Sequence, residues 1–248
     1  MNEKRLIIDI GNTAIKVAIF DNSKIYDFIG FFKMPNDLPK LKEKLLEASK
    51  HECKQGMIFS VVPKHNKTIS KLVKKIFGFE IKIFDWENYK LKNRDSRIKE
   101  SIGADLLADI KEGQKLAKAC MIADCGTITK LIVLDSESNF VGLSLFPGIE
   151  IMSKLAKNNT ALLPDFEINN SAIGFGLNTI DSMKHGTLFG TVSYIKNSFE
   201  SIEDKDKKLI ITGGNSRLIK NQFEDAIIDP DFTLKGMNIL FNEVNKWN

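Results

Sequence analysis

The sequence predicts an α/β protein made of two copies of one supersecondary unit, and three observations carry that prediction. Each half opens on a buried strand ending in Asp-x-Gly: "RLIIDIGNTAIKVAIF" from Arg5 and "ACMIADCGTITKLIVLD" from Ala119. In each the chain turns at the glycine and resumes as a second apolar run, so Asp9-Ile10-Gly11-Asn12-Thr13 answers to Asp124-Cys125-Gly126-Thr127. In each a third strand-like segment follows, "IYDFIGFF" and "FVGLSLFPG", which reads as an antiparallel meander.

The remaining elements follow in order. "PNDLPKLKEKLLEASK" places Leu38, Leu41 and Leu45 at helical spacing. "GMIFSVVP" is a short buried strand ended by Pro63, and "KHNKTISKLVKKIF" is an amphipathic helix with Ile69, Leu72, Val73 and Ile76 on one face. "FEIKIFD" reads as another strand and "ADLLADIKEG" as a helix. In the second half helices are expected from about Ile149 to Asn158 and from Thr179 to Phe199. "KLIITGG" is then a strand closing on a glycine pair. Few stretches have linker composition. The expected domains are residues 1–110 and 111–248, with the boundary loosely placed between Gly103 and Cys120.

Composition narrows the function. A chain of 248 residues, 43% hydrophobic and 27% charged, has the make-up of a soluble globular protein. A net charge of +4 suits a protein that handles anions but not a dedicated nucleic-acid binder. The lysines from Lys64 to Lys99 read as a solvated helix face, since no aromatic stacking platform accompanies them. No nucleic-acid partner is expected. Cys53, Cys120 and Cys125 are odd in number and lack CxxC spacing, so neither a disulfide framework nor a zinc site is expected. The start "MNEKRLIIDIG" shows no signal-peptide pattern, and no apolar run nears the roughly 20 residues that cross a bilayer. The expected location is the cytoplasm. His51, His65 and His185 show no metal-ligand spacing.

The two Asp-x-Gly turns carry the chemistry. Glycine lets backbone approach a ligand, and the N–H groups of a tight turn form an anion-binding concavity. Asn12 and Thr13 add side-chain donors, Lys16 adds a point charge, and Asp9 is an oxygen ligand suited to magnesium shared with phosphates. A single turn of this kind is also an ordinary hairpin. Two of them, joined by "TGG" (Thr212, Gly213, Gly214) where an adenine ring could lie, describe a nucleotide held between two lobes. The P-loop pattern is absent, and no GxGxxG opens a helix after a strand.

With these motifs in place, the chain resembles the acetate/sugar kinase, Hsp70 and actin superfamily and, more narrowly, the type III pantothenate kinases. "DIGNTAIKVAIF", "FSVVP", "GAD" (Gly103 to Asp105) and "DCGT" recur in the family's order. So do "GLSLFPG", "TALLP", "GLNT", "HGTLFG", "TGG" and "LKGM". The resemblance implies two duplicated RNase H-like (actin-like ATPase) domains with a nucleotide cleft between them. It also implies ATP-dependent phosphorylation of pantothenate, the first step of coenzyme A biosynthesis, by a homodimer. By the same resemblance Asp9, Gly11, Asn12, Thr13, Lys16, Gly126, Thr127, Gly213 and Gly214 hold ATP, with Mg²⁺ at Asp9. Asp105 is the catalytic base; Gly103, Ala104, Asp105, Thr160 and Thr179 bind pantothenate, Thr160 from across a dimer interface. Asp124 is assigned a monovalent cation, K⁺ or NH₄⁺. Asp105 near a helix N-terminus stays ionised, which suits a base, but the residue is equally compatible with a helix N-cap.

Four positions depart from the family pattern. Leu106 stands where an arginine pairs with the pantothenate carboxylate, and Arg94, Arg97, Lys99 and Lys111 are the basic residues nearby. Ile128 and Lys130 replace an alanine and a threonine. Thr129 is the nearest hydroxyl, though strand alternation directs it to the other face. Leu143 breaks a double glycine. Two alternatives stay open: a weakly active or inactive relative serving as a regulatory or binding protein, and a same-fold kinase acting on another small hydroxyl substrate.

Overall fold

In the computed structural model, residues 4–92, 94–96, 102–160, 162–164, 166–168 and 174–245 are described. The first sheet is built from β1 (Arg5–Ile10), β2 (Ile15–Asp21), β3 (Lys24–Phe32), β4 (Gln55–Ser60) and β5 (Lys82–Ile83), in the order β3-β2-β1-β4-β5. β1 pairs antiparallel with β2 and parallel with β4. This central position explains why "LIIDI" is apolar on both faces: Leu6, Ile7, Ile8 and Ile10 are fully buried. β3 is an edge strand and alternates between exposed and half-buried residues. The expected strand at "FEIKIFD" pairs only at Lys82 and Ile83.

Two helices pack on this sheet. α1 (Leu38–Ala48) buries Leu41, Leu45 and Ala48, one stripe at helical spacing. α2 (Pro63–Phe77) starts on Pro63, whose missing N–H costs nothing in the first turn, and stops at Gly78 with φ +78°. It buries Ile69 and Val73, with Leu72 and Ile76 packed beside them. Its Lys64, Lys67, Lys71, Lys74 and Lys75 lie exposed on the opposite face.

α3 (Ala104–Leu116) leads to the second sheet: β6 (Cys120–Cys125), β7 (Ile128–Leu134), β8 (Phe140–Pro147), β9 (Lys208–Thr212) and β10 (Ile227–Ile228). Its order is β10-β9-β6-β7-β8, with β6 antiparallel to β7 and parallel to β9. That is the first sheet's order and pairing repeated strand for strand, so the duplication expected from the two Asp-x-Gly strands is present. α4 (Ile149–Asn159), α5 (Thr179–Glu200) and the short α6 (Ser216–Ile219) cover one face of this sheet, where Met121, Ala123 and Cys125 meet Ile149, Leu188, Ile195 and Ile219. On the other face Gly113 of α3 lies against Ile122 and Leu134.

The chain ends in α7 (Phe232–Asn245), where the sequence offered only the "LKGM" motif. A division at residue 110 assigns this helix to the second domain. Packing instead groups residues 1–92, 99–112 and 233–248 into one unit, and 93–98 with 113–232 into the other. The physical reason is a set of contacts from α7 back to the first unit. Thr233 Oγ1 donates to Asp109 Oδ1 (2.7 Å), Asn238 Nδ2 to the Asn22 carbonyl (2.8 Å) and Arg5 to Asn242, while Glu243 accepts from Lys111 (2.9 Å) and Tyr89 (2.6 Å).

Candidate active site

In the first unit the turn after β1 is closed by the Gly11 N–H donating to the Ala14 carbonyl (3.0 Å). Asn12 and Thr13 are exposed at its tip. Asp9 on β1 stands directly opposite Lys16 on β2, so the carboxylate and the ammonium share one sheet face beside the turn. α3 begins at Ala104, which leaves the capping position to Gly103 and puts Asp105 inside the first turn. There Oδ1 accepts from the Leu106 N–H at 2.9 Å. A Cβ on Gly103 would lie 3.1 Å from Asp105 Oδ1 and 3.9 Å from Val61 Cγ1, and the Val61 N–H donates to the Ile10 carbonyl (3.1 Å). Asp105 therefore stands at the C-terminal ends of β1 and β4, the end that carries the Asp9-Gly11 turn.

The second unit builds a tighter cradle. The Gly126-Thr127 turn is met by two junctions, the start of α4 and the end of β9. The Gly148 N–H donates to the Thr127 carbonyl (3.1 Å), and a Cβ at Gly148 would fall 2.3 Å from that oxygen. Gly213 has φ +87°, and a Cβ there would be 2.5 Å from Asp124 Oδ1. Only glycine fits either position. The Asn215 N–H donates to the Cys125 carbonyl (2.9 Å), its Nδ2 to the Gly126 carbonyl (3.3 Å), and the Ser216 hydroxyl to the Gly213 carbonyl (2.7 Å). Gly214 is exposed with open space where a Cβ would be.

Asp124 is 7% exposed and faces Lys130 across the β6–β7 pair, with Nζ 2.5 Å from Oδ2. The register is that of Asp9 and Lys16, so the duplication extends to an aspartate–lysine pair beside each turn. Matching the turns alone missed this; aligning the second strands would have found it. Thr129 points to the other face, as alternation requires, and is fully buried. Gly148 and Asn215 also escaped attention as site builders. The signal for Gly148 was its place immediately before a helix.

Thr160 ends α4 in extended conformation and is exposed, as is Thr179 at the start of α5. There Asn178 caps the helix, accepting from the Asp181 N–H (3.0 Å). His185 is held between the Phe175 and Phe189 rings, with centroids at 4.8 and 5.3 Å. Among the described residues no group of three or more His, Cys, Asp or Glu converges as a metal cage. Magnesium bound through substrate phosphates needs only one or two carboxylates, so the donor set at Asp9 fits it.

The sequence profile of the type III pantothenate kinases matches residues 5–201. The type III pantothenate kinase of Finegoldia magna is 34% identical over 99% of both chains. The chain belongs to the type III pantothenate kinase family. The enzyme of that name from Agathobacter rectalis is 28% identical over 97% of this chain and 98% of its own. Among solved structures, a Campylobacter jejuni protein named for the Baf family of transcriptional activators matches with a TM-score of 0.62 at 21% identity, covering 97% and 99% of the two chains. A Sinorhizobium meliloti protein named as a 2-dehydro-3-deoxygalactonokinase matches at 0.60 and 13%, covering 97% and 96%. Both speak to the fold.

Within this family of kinases the departures can now be placed. Leu106 is half-buried in the first turn of α3. Of the basic residues near it in sequence, Lys111 is bound to Glu243, Arg94 is exposed in the second unit, and Arg97 and Lys99 lie outside the described residues. Ile128 and Leu143 are 39% and 40% exposed.

Proposed function

We propose that this chain transfers the γ-phosphoryl group of ATP to the primary hydroxyl of pantothenate, forming 4'-phosphopantothenate. The observation that carries the reading is Asp105, held at the strand ends beside the Asp9-Gly11 turn and within hydrogen-bonding distance of a helix-initial N–H. Phosphoryl transfer needs positioned charge more than covalent help. The positive end of α3 favours the ionised carboxylate, which orients the attacking hydroxyl and accepts its proton. Gly103 and Ala104 leave room for the acceptor beside it. Gly11 and Gly126 let the phosphates approach the backbone of the two turns, Asn12, Thr13 and Thr127 donate to phosphate oxygens, and Lys16 neutralises them. Asp9 would hold Mg²⁺, which would supply charge neutralisation to the phosphates. Gly213, packed against Asp124 and Cys125, sets the turn that leaves the exposed Gly214 backbone open to the adenosine. Thr160 and Thr179 contribute to the acceptor side.

The active form is a homodimer. Leu155, Leu162, Phe175, Leu177 and Phe189, on or beside α4 and α5, are between 47% and 101% exposed, which favours a partner surface there. The kinase acts in the cytoplasm, a location suited to three free buried cysteines. Among the described residues no helix is long and apolar enough to cross a membrane.

Leu106 favours one second reading, an acceptor alcohol without a carboxylate. ADP release with Mg²⁺ is therefore measured with pantothenate and with pantetheine. Release driven by pantothenate supports the first reading; release driven only by pantetheine moves the activity to the second.

A further inference from the structure

We infer that Lys130 is a built-in monovalent cation, and that this kinase binds and turns over ATP without added potassium or ammonium. The inference rests on the ATP-site reading above. Family resemblance places a K⁺ or NH₄⁺ ion at Asp124, but the residues around that carboxylate do not fit one. Lys130 Nζ lies 2.5 Å from Oδ2, and the two side chains are 12% and 10% exposed. On the other side Oδ1 faces the Gly213 backbone, so closely that a Cβ there would be 2.5 Å away. A free cation at Asp124 would therefore have to share the carboxylate with a like charge in a poorly screened site.

The chemistry of the replacement is direct. An ammonium ion is one of the two cations expected at this place, and the head of lysine is an ammonium with three N–H donors, delivered by the chain. It needs no dehydration from bulk solvent and cannot be diluted away. The strand register guarantees its position: Asp124 pairs with Lys130 on β7 and with Thr212 on β9, so the three side chains form one row on one sheet face. Residue 130 on β7 is the position opposite Asp124, and threonine there, the residue the family pattern carries, is too short to bring a charge to it.

Isothermal titration of Mg·ATP and pantothenate-dependent ADP release, each in choline chloride, KCl or NH₄Cl at fixed ionic strength, test this with wild type and Lys130→Thr. Wild type is expected to give the same affinity and rate in all three salts, within about twofold. Lys130→Thr is expected to lose about tenfold or more in choline, a change of about 1.4 kcal/mol, and to recover it in KCl or NH₄Cl. Stimulation of wild type by about tenfold or more in KCl overturns the inference. So does a folded Lys130→Thr that neither inorganic cation restores, which would make Lys130 a phosphate ligand or a purely structural residue. If that variant does not fold, the wild-type salt series decides alone. Wild type that binds Mg·ATP but leaves pantothenate untouched defeats the acceptor assignment while the titrations still decide the inference. No Mg·ATP binding in any salt defeats both.

Discussion

Cys125 sits between the buried Asp124 and Gly126, and its environment sets a testable chemistry. Burial pushes its thiol up to about 12, and the neighbouring Asp124 charge adds to the shift. Cys120 is pushed up to about 12 by burial alone, from an ordinary value of 9.0. Both thiols therefore stay protonated and poorly nucleophilic in the native protein at neutral pH. The sign for stability follows from linkage. The raised folded-state values cost nothing below pH 9, and stability then falls as pH rises from 9 towards 12, because only the unfolded chain loses these protons. The slope is about 1.4 kcal/mol per pH unit for each thiol. Urea unfolding between pH 8 and 10.5 is expected to show this loss, and a thiol reagent at pH 8 is expected to label them only in denaturant. At this scale the sequence was partly legible. The residue types at Asp9, Gly11, Gly126 and Gly213 announced an anion site, because tight turns and close backbone approach leave few substitutes. The Lys130–Asp124 contact was hidden, because register between strands depends on which residues end the turn, and the two turns differ by one residue in length.

Among the elements, α3 and α7 are the least ordinary, since each is seated on a glycine. A Cβ on Gly236 of α7 would lie 1.9 Å from the Ala108 carbonyl oxygen, backbone that cannot move without displacing α3. A Cβ on Gly113 of α3 would meet side chains instead, the ends of Ile122 and Leu134 at 2.7 and 3.0 Å and Cys120 Sγ at 3.6 Å. Gly236→Ala is therefore expected to destabilise by roughly 1–3 kcal/mol or more despite its better helix propensity. Gly113→Ala is expected to fall within about 1 kcal/mol of wild type, because flexible side-chain ends yield and alanine favours the helix. Thermal unfolding of both variants checks the contrast, and equal melting temperatures would remove the close helix packing from the account. Elements with strong patterning, such as β1, β6, α1 and α2, were legible because one face or both faces must be buried. The strand at "FEIKIFD" was overestimated: only Lys82 and Ile83 pair, opposite Met57 and Ile58 in the middle of β4. α7 was missed because its buried Phe232, Leu234, Met237, Leu240 and Phe241 follow helical spacing across a segment read for its motif alone.

For the whole molecule, duplication of the unit is what places two similar turns in one chain. The chain-end helix packing back on the first unit was not legible, since contacts such as Thr233 to Asp109 span 124 residues. The homodimer belongs to this scale. Phe189 is 53% exposed in α5 and stacks on His185, so Phe189→Glu is expected to turn a dimer into a monomer in sedimentation or light scattering without lowering helix content. A wild-type monomer at micromolar concentration would contradict the assignment. The central claim is that Asp105 serves as the base of a pantothenate kinase. Pantothenate-dependent ADP release by wild type and Asp105→Asn, with Mg·ATP affinity measured in parallel, tests it most directly. The account predicts release by wild type, a fall of about 10²–10⁴-fold in the variant, and unchanged ATP affinity. Equal rates in wild type and Asp105→Asn, or no pantothenate-dependent release by a wild type that binds Mg·ATP, would contradict it.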